Sequence, residues 1–138
     1  MKRTFIVIMT LAFLFSLSCS NDPRSVSDKK GTATLVFETT EHDFGNIPQG
    51  GDGTYEFVFR NTGDVPLVLA NVRSSCGCTI PEWPKRPIHE GKEGRIKVRY
   101  NTRITGGFSK SITVYSNAGD TPVVLKIRGR VEEVETGQ

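Results

Sequence analysis

The sequence predicts an all-β protein, an antiparallel β-sandwich of about seven strands in a single domain. Three observations carry that expectation. Apolar and polar residues alternate at period two in several short runs, the mark of strands buried on one face. Clusters of glycine, asparagine and aspartate separate the runs, supplying the backbone conformations of tight turns. After Cys19 no stretch repeats apolar residues at helical spacing.

The first element is not part of the sandwich. Met1-Lys2-Arg3 precedes a thirteen-residue apolar run, Phe5 to Leu17, which reads as the basic and hydrophobic regions of a cleaved signal segment. A spanning helix needs about 20 apolar residues, so the run is too short to cross a bilayer. Ser16-Leu17-Ser18-Cys19 resembles the lipobox of a bacterial lipoprotein precursor, with Ser16 where that motif usually has leucine. Cysteine arithmetic favours acylation of Cys19: the chain has three cysteines, and a thioether at Cys19 leaves Cys76 and Cys78 as a pair. The other reading is ordinary secretory cleavage between Ser16 and Ser20. With an anchor, buried acyl chains at roughly 0.8 kcal/mol per methylene hold the chain on a membrane facing the periplasm.

Loss of residues 1–18 removes Lys2 and Arg3 and lowers the formal charge from +3 to +1. That near neutrality argues against a nucleic-acid role, which needs a concentrated basic surface. Residues 19–32 are polar and aperiodic, a flexible tether. Residues 33–133 form the expected domain and 134–138 a disordered tail, with Glu132, Glu133 and Glu135 as solvated acids.

Within the domain the strands follow in order. Leu35–Glu38 and Phe44–Ile47 come first. Tyr55, Phe57 and Phe59 alternate with Glu56, Val58 and Arg60. Leu67–Arg73 follows; Ile96, Val98 and Tyr100 alternate with Lys97 and Arg99. Phe108–Ser116 carries Lys110 on its apolar side, and Val123, Leu125, Ile127, Gly129 and Val131 close the series. Turns fall at Gly50-Gly51-Asp52-Gly53, Asn61-Thr62-Gly63-Asp64, Gly106-Gly107 and Asn117-Ala118-Gly119-Asp120. This spacing is that of an immunoglobulin-type sandwich. Its expected core is Phe37, Phe57, Phe59, Leu69, Ile96, Val98, Ile112, Val114, Leu125 and Ile127.

An ordered set of motifs carries a family resemblance. Phe44-Gly45-Asn46-Ile47, Asn61-Thr62-Gly63, Pro66-Leu67, Ser75-Cys76-Gly77-Cys78-Thr79 with Pro81 and Trp83, Gly94 with Ile96, and Ile112-Thr113-Val114 before Ser116-Asn117 together resemble the bacterial domain of unknown function 1573. The likeness runs from about Leu35 to Val131. It implies an immunoglobulin-like fold related to modules of ciliary and sperm proteins, often in exported lipoproteins, and no known reaction. His89-Glu90 departs from it, since a proline is more usual before Gly91.

Cys76-Gly77-Cys78 is the strongest chemical signal. A disulfide closed across one residue forces the bond and backbone from relaxed geometry, and such bonds are the easily reduced ones. The thioredoxin motif, however, has two intervening residues at a helix start that lowers the thiol pKa, and no helix is expected here. As thiolates the pair suits a soft ion such as Cu(I). Zinc would need two further ligands, and His42 and His89 lack the spacing. The plain reading is that both cysteines shape the turn, with Gly77 adopting a conformation closed to other residues. All three readings stay open; no cofactor is expected, copper being the alternative.

Pro81, Pro84 and Pro87 surround Trp83, with Lys85 and Arg86 between, so Thr79 to Gly94 reads as an ordered loop rather than a strand. Trp83, Lys85 and Arg86 form a candidate partner-contact patch; alternatively Trp83 folds back to plug one end of the sandwich. His42-Asp43 invites general-base chemistry, but no nucleophile accompanies it, and His42 reads as a surface residue at a strand start. Lys97, Arg99, Lys126, Arg128 and Arg130 would give one sheet a basic face, or simply a solvated one that discourages edge aggregation. No phosphate-binding glycine loop, nucleophile elbow or zinc-protease motif is present.

These features point to a non-enzymatic, membrane-anchored binding or scaffold module of the bacterial cell envelope. Its expected partners are the membrane, through lipid on Cys19, and another envelope protein; no small-molecule substrate is indicated. The alternative is a periplasmic thiol protein that uses Cys76 and Cys78 for Cu(I) binding or disulfide exchange.

Overall fold

A computed structural model describes residues 31–135 and 137; the signal segment, Cys19 and most of the tether lie outside them. Eight strands form: β1 (Leu35–Phe37), β2 (Glu41–Pro48), β3 (Thr54–Asn61), β4 (Leu69–Ser74), β5 (Thr79–Glu82), β6 (Glu93–Tyr100), β7 (Gly106–Ser116) and β8 (Val123–Glu132). They make two four-stranded sheets, β1-β3-β6-β5 and β2-β8-β7-β4. Inward residues of both sheets meet in one core that includes Phe57, Phe59, Ile96, Val98, Ile112, Val114, Leu125 and Ile127, all essentially buried. Each such side chain contributes about 1.5–3 kcal/mol of burial free energy. Phe37 is only half-buried; it leans on Phe59 with ring centroids 5.6 Å apart, because β1 is a three-residue edge strand.

The eighth strand corrects the expectation of a loop from Thr79 onward. β5 pairs antiparallel with β6, Pro81 opposite Val98. Proline cannot donate to a ladder, but β5 is an edge strand, so the missing N–H has no neighbour to disappoint. A second departure is orientation: β2 runs parallel to β8, while every other pairing is antiparallel. Its register shifts between Asp43 and Asn46. Gly45 sits at the shift with φ 62°, a left-handed conformation that glycine adopts without penalty, and its N–H donates to Asp43 Oδ1 at 2.8 Å.

Five connections change sheets, among them β1 to β2 through Glu38–Thr40 and β4 to β5 through Ser75–Cys78. The β4–β5 crossover carries the disulfide. The turn after β3 is held by Asn61, which is fully buried. Its amide nitrogen donates to the carbonyls of Val65 (2.7 Å) and Ile88 (3.0 Å), and its oxygen accepts from the N–H groups of Gly63 (3.0 Å) and Thr34 (3.3 Å). One side chain thus ties the segment before β1, the turn and the loop before β6 together. Gly94, opposite Phe59, leaves room for the ring; a Cβ there would run into it.

The basic residues do not share a face. Lys97 and Arg99 lie on β6 in one sheet, Lys126, Arg128 and Arg130 on β8 in the other. Outward-facing cross-strand pairs neutralise several: Arg128 with Asp43 (2.9 Å), Lys126 with Glu41 (3.8 Å) and, on the opposite face, Arg95 with Glu56 (3.0 Å). Such exposed pairs contribute about 0–1 kcal/mol each.

Candidate functional site

The β4–β5 crossover is fixed to the strands beside it. Ser75 N–H donates to Ser111 O at 2.8 Å, and Ser75 Oγ accepts from Ser111 N–H at 3.2 Å. Ser74 Oγ lies 2.5 Å from Cys76 O and 2.7 Å from Thr79 O, so one hydroxyl proton is shared between two carbonyls. Asn101 N–H donates to Cys78 O at 2.8 Å. Within this frame Cys76 and Cys78 are joined as a disulfide with their Cα atoms 5.3 Å apart, inside the range such bonds span. Both are half-buried. Beneath them Thr79 is 2% exposed, with its hydroxyl 4.0 Å from each sulfur.

Gly77 differs from the expectation. It lies outside the left-handed region, and a Cβ added to it would meet nothing within 4 Å. Glycine is therefore not demanded here by conformation. Gly77 instead borders a groove of about 440 Å³ lined by Asp52, Cys78, Ile80, Arg99, Asn101 and Arg103, among others. Three segments build it: the β2–β3 loop, the start of β5, and the end of β6 with the loop that follows. Its walls are stiff. Thr102 Oγ1 donates to Gly51 O at 2.7 Å, Gly50 N–H to Thr102 O at 3.1 Å and Tyr100 N–H to Gly53 O at 2.9 Å. Gln49 Nε2 reaches Arg103 O at 3.0 Å. Tyr100 stacks on Phe108 at 3.8 Å, and burial raises its phenol pKa.

The groove combines an apolar contact with cations. Ile80 is 58% exposed, the most solvent-open of the large apolar side chains. Arg99 and Arg103 make no ion pair among the described residues. Asp52 is engaged by Thr54 N–H at 2.9 Å. Two guanidiniums against one carboxylate leave the lining positive, suited to carboxylate-bearing ligands.

The other residues singled out in the sequence are not gathered here. Trp83 packs half-buried against the core, its indole Nε1 enclosed without a partner, and Lys85 Nζ sits 3.0 Å over the ring centroid. Trp83 and Lys85 therefore meet each other, while Lys85 and Arg86 remain exposed. His42 and Asp43, adjacent on a strand, point to opposite faces. His42 stacks on Tyr55 at 3.6 Å and abuts Phe44 at 4.5 Å; burial lowers its pKa against the opposing pull of Asp43. Asp43 turns out to Gly45 N–H and Arg128, which depress its pKa. Among the described residues no three His, Cys, Asp or Glu side chains converge as a metal site. No described helix is long and apolar enough to cross a membrane.

The groove itself was missed in the sequence. Gly50-Gly51-Asp52-Gly53 read as a turn and Arg99 as solvated alternation, and Asn101 to Arg103 carried no motif. The one local signal was Ile80, an apolar residue beside an edge proline.

Two four-stranded sheets packed face to face, with connections crossing between them, define an immunoglobulin-like β-sandwich. Solved structures agree on the fold. A protein of unknown function from Porphyromonas gingivalis W83 is similar with TM-score 0.65 at 16% identity, over 72% of this chain and 47% of its own, so this chain spans about half its length. PapD-like domain 7 of human CEP192 is similar with TM-score 0.64 at 9% identity, over 75% of this chain and 89% of the domain. The chaperone–tip adhesion subunit pre-assembly complex, CsuC–CsuE, of Acinetobacter baumannii Csu pili gives TM-score 0.54 at 12% identity, over 76% of this chain and 60% of that one. No curated protein matches in sequence. The chain belongs to the DUF1573 family, proteins of unknown function, whose model matches residues 35–131.

Proposed function

We propose that this protein is a non-enzymatic binding module of the bacterial cell envelope, anchored to a membrane by lipid on Cys19, that holds an extended, acidic segment of another envelope protein in the groove beside β5. The observation that carries the reading is the groove: a stiff concavity with Ile80 exposed at 58% and two arginines that make no ion pair among the described residues. The signal segment and lipobox-like Ser16-Leu17-Ser18-Cys19 support the location. The immunoglobulin-like fold supports the class of activity, since one structure with a similar fold is a chaperone in complex with an adhesion subunit. Ile80 supplies the apolar anchor and Arg99 and Arg103 the charge that sets register and on-rate. The Trp83 loop takes no part in this site: Trp83, Lys85 and Arg86 do not line the groove, and the indole is committed to the core. The module needs no cofactor for this task.

The test is recovery of the partner with the full-length, anchored protein purified from its own envelope in mild detergent. A stoichiometric polypeptide should accompany the wild type and Val36→Glu, whose change lies on the edge strand β1, and be lost from Ile80→Glu with Arg103→Glu. Equal recovery with the groove variant, or none with the wild type, would refute the reading.

A further inference from the structure

The disulfide is not needed to hold the sandwich. Cys76 and Cys78 are two positions apart, and the chain-entropy gain of a cross-link shrinks with the loop it closes. The crossover is secured independently, by the Ser74, Ser75 and Asn101 hydrogen bonds. The two sulfurs are also inequivalent: Cys78 lines the groove and Cys76 does not. Thr79 holds a buried hydroxyl 4.0 Å from both, placed to donate to a thiolate that forms on either.

We propose that the Cys76–Cys78 bond is a transferable disulfide, exchanged with a dithiol carried by an acidic polypeptide segment lying in the groove. A thiolate of the segment attacks Cys78 Sγ from the groove. The Cys76–Cys78 bond breaks, a mixed disulfide forms at Cys78, and the electron pair leaves on Cys76 Sγ, which takes a hydrogen bond from Thr79 and then a proton from solvent. The segment's second thiolate attacks its own sulfur in the mixed disulfide and releases Cys78 as thiolate. The segment is oxidised from dithiol to disulfide, the Cys76/Cys78 pair is reduced to two thiols, and two electrons have changed hands. Arg99 and Arg103 position the segment and favour the attacking thiolate. This proposal rests on the groove being a polypeptide site and adds chemistry to it.

The experiment uses the oxidised full-length protein in detergent and two synthetic probes, each with a Cys-Gly-Gly-Cys dithiol, one flanked by glutamates and one by lysines. After acid quench and alkylation, mass spectrometry reads the thiols on Cys76 and Cys78 and the disulfide in the probe. The acidic probe should be oxidised about tenfold faster than the basic one at low ionic strength, and the preference should vanish in Arg99→Ser with Arg103→Ser. Thr79→Val should slow transfer at least about fivefold with both probes. In single-thiol variants, Cys76→Ser, which keeps Cys78, should capture the oxidised acidic probe faster than Cys78→Ser. No transfer, transfer indifferent to probe charge, or faster capture by Cys76 would overturn the proposal. Fluorescence anisotropy of the labelled acidic probe on the doubly substituted Cys76→Ser, Cys78→Ser protein separates the two readings. Binding there without transfer in the wild type sinks the exchange chemistry and leaves the binding groove; absence of binding sinks the groove.

Discussion

Replacing Asn61 with alanine removes four hydrogen bonds from a fully buried side chain. Ile88 O keeps another partner, Leu67 N–H at 2.9 Å, so it is not stranded. Val65 O and the N–H groups of Gly63 and Thr34 lose the partner that Asn61 provided. Each buried group left unsatisfied costs about 1–3 kcal/mol, less where the loosened turn admits water. The sum is roughly 4 kcal/mol, a large fraction of a small domain's total stability. Urea unfolding followed by the fluorescence of Trp83, the only tryptophan, should show a lower midpoint at unchanged slope, the sign of lost stability rather than an altered unfolded state. Thermal unfolding should shift by at least about 15 °C. Asn61→Asp keeps the acceptor and turns the donor into a carboxylate facing Val65 O, so it should be at least as harmful at neutral pH and recover partly in acid. A loss below about 1 kcal/mol for Asn61→Ala would refute the view that this side chain ties the turn together.

Two glycines should respond in opposite ways. Gly94→Ala drives a methyl into the Phe59 ring and should cost about 1–3 kcal/mol, whereas Gly77→Ala meets open space and should fall within about 0.5 kcal/mol of wild type; the same urea titration reads both. His42 has a folded pKa below its ordinary 6.5, so as pH falls through that value the unfolded chain takes up the proton first. Its contribution is complete above pH 6.5 and is lost progressively below it. His42→Phe keeps a ring against Tyr55 without titrating, and should flatten the stability profile between about pH 7.5 and 5, above the range where Asp43 protonates.

Much of the fold was legible because burial writes itself into sequence as alternation. Period two alone places Phe57 and Phe59, Ile96 and Val98, and Leu125 and Ile127 in the core, and all are buried. β5 escaped because Pro81 argues against a strand unless the strand is known to be an edge, and edge position is a property of the assembled sheet. The parallel β2–β8 pair escaped for the same reason: pairing partners 85 positions apart, such as His42 and Ile127, leave no local trace. Asn61 reads as a turn residue, whereas it ends β3 and holds the turn that follows; nothing in the local sequence shows that its side chain points inward. The candidate site was legible in half. Cys76 and Cys78 stand out in any reading, whereas Arg99 and Arg103 look like ordinary surface charge until the fold sets them beside Ile80 and the disulfide.

On the reading proposed above, the groove beside β5 receives another polypeptide. A photoactivatable crosslinking residue placed at Ile80 in the full-length protein, in its native envelope, tests it most directly, with the same residue at Val36 on the β1 edge as comparison. One discrete adduct should form from position 80, absent from position 36 and abolished by Arg99→Glu with Arg103→Glu. No adduct from position 80, or the same adduct from both positions, would contradict it.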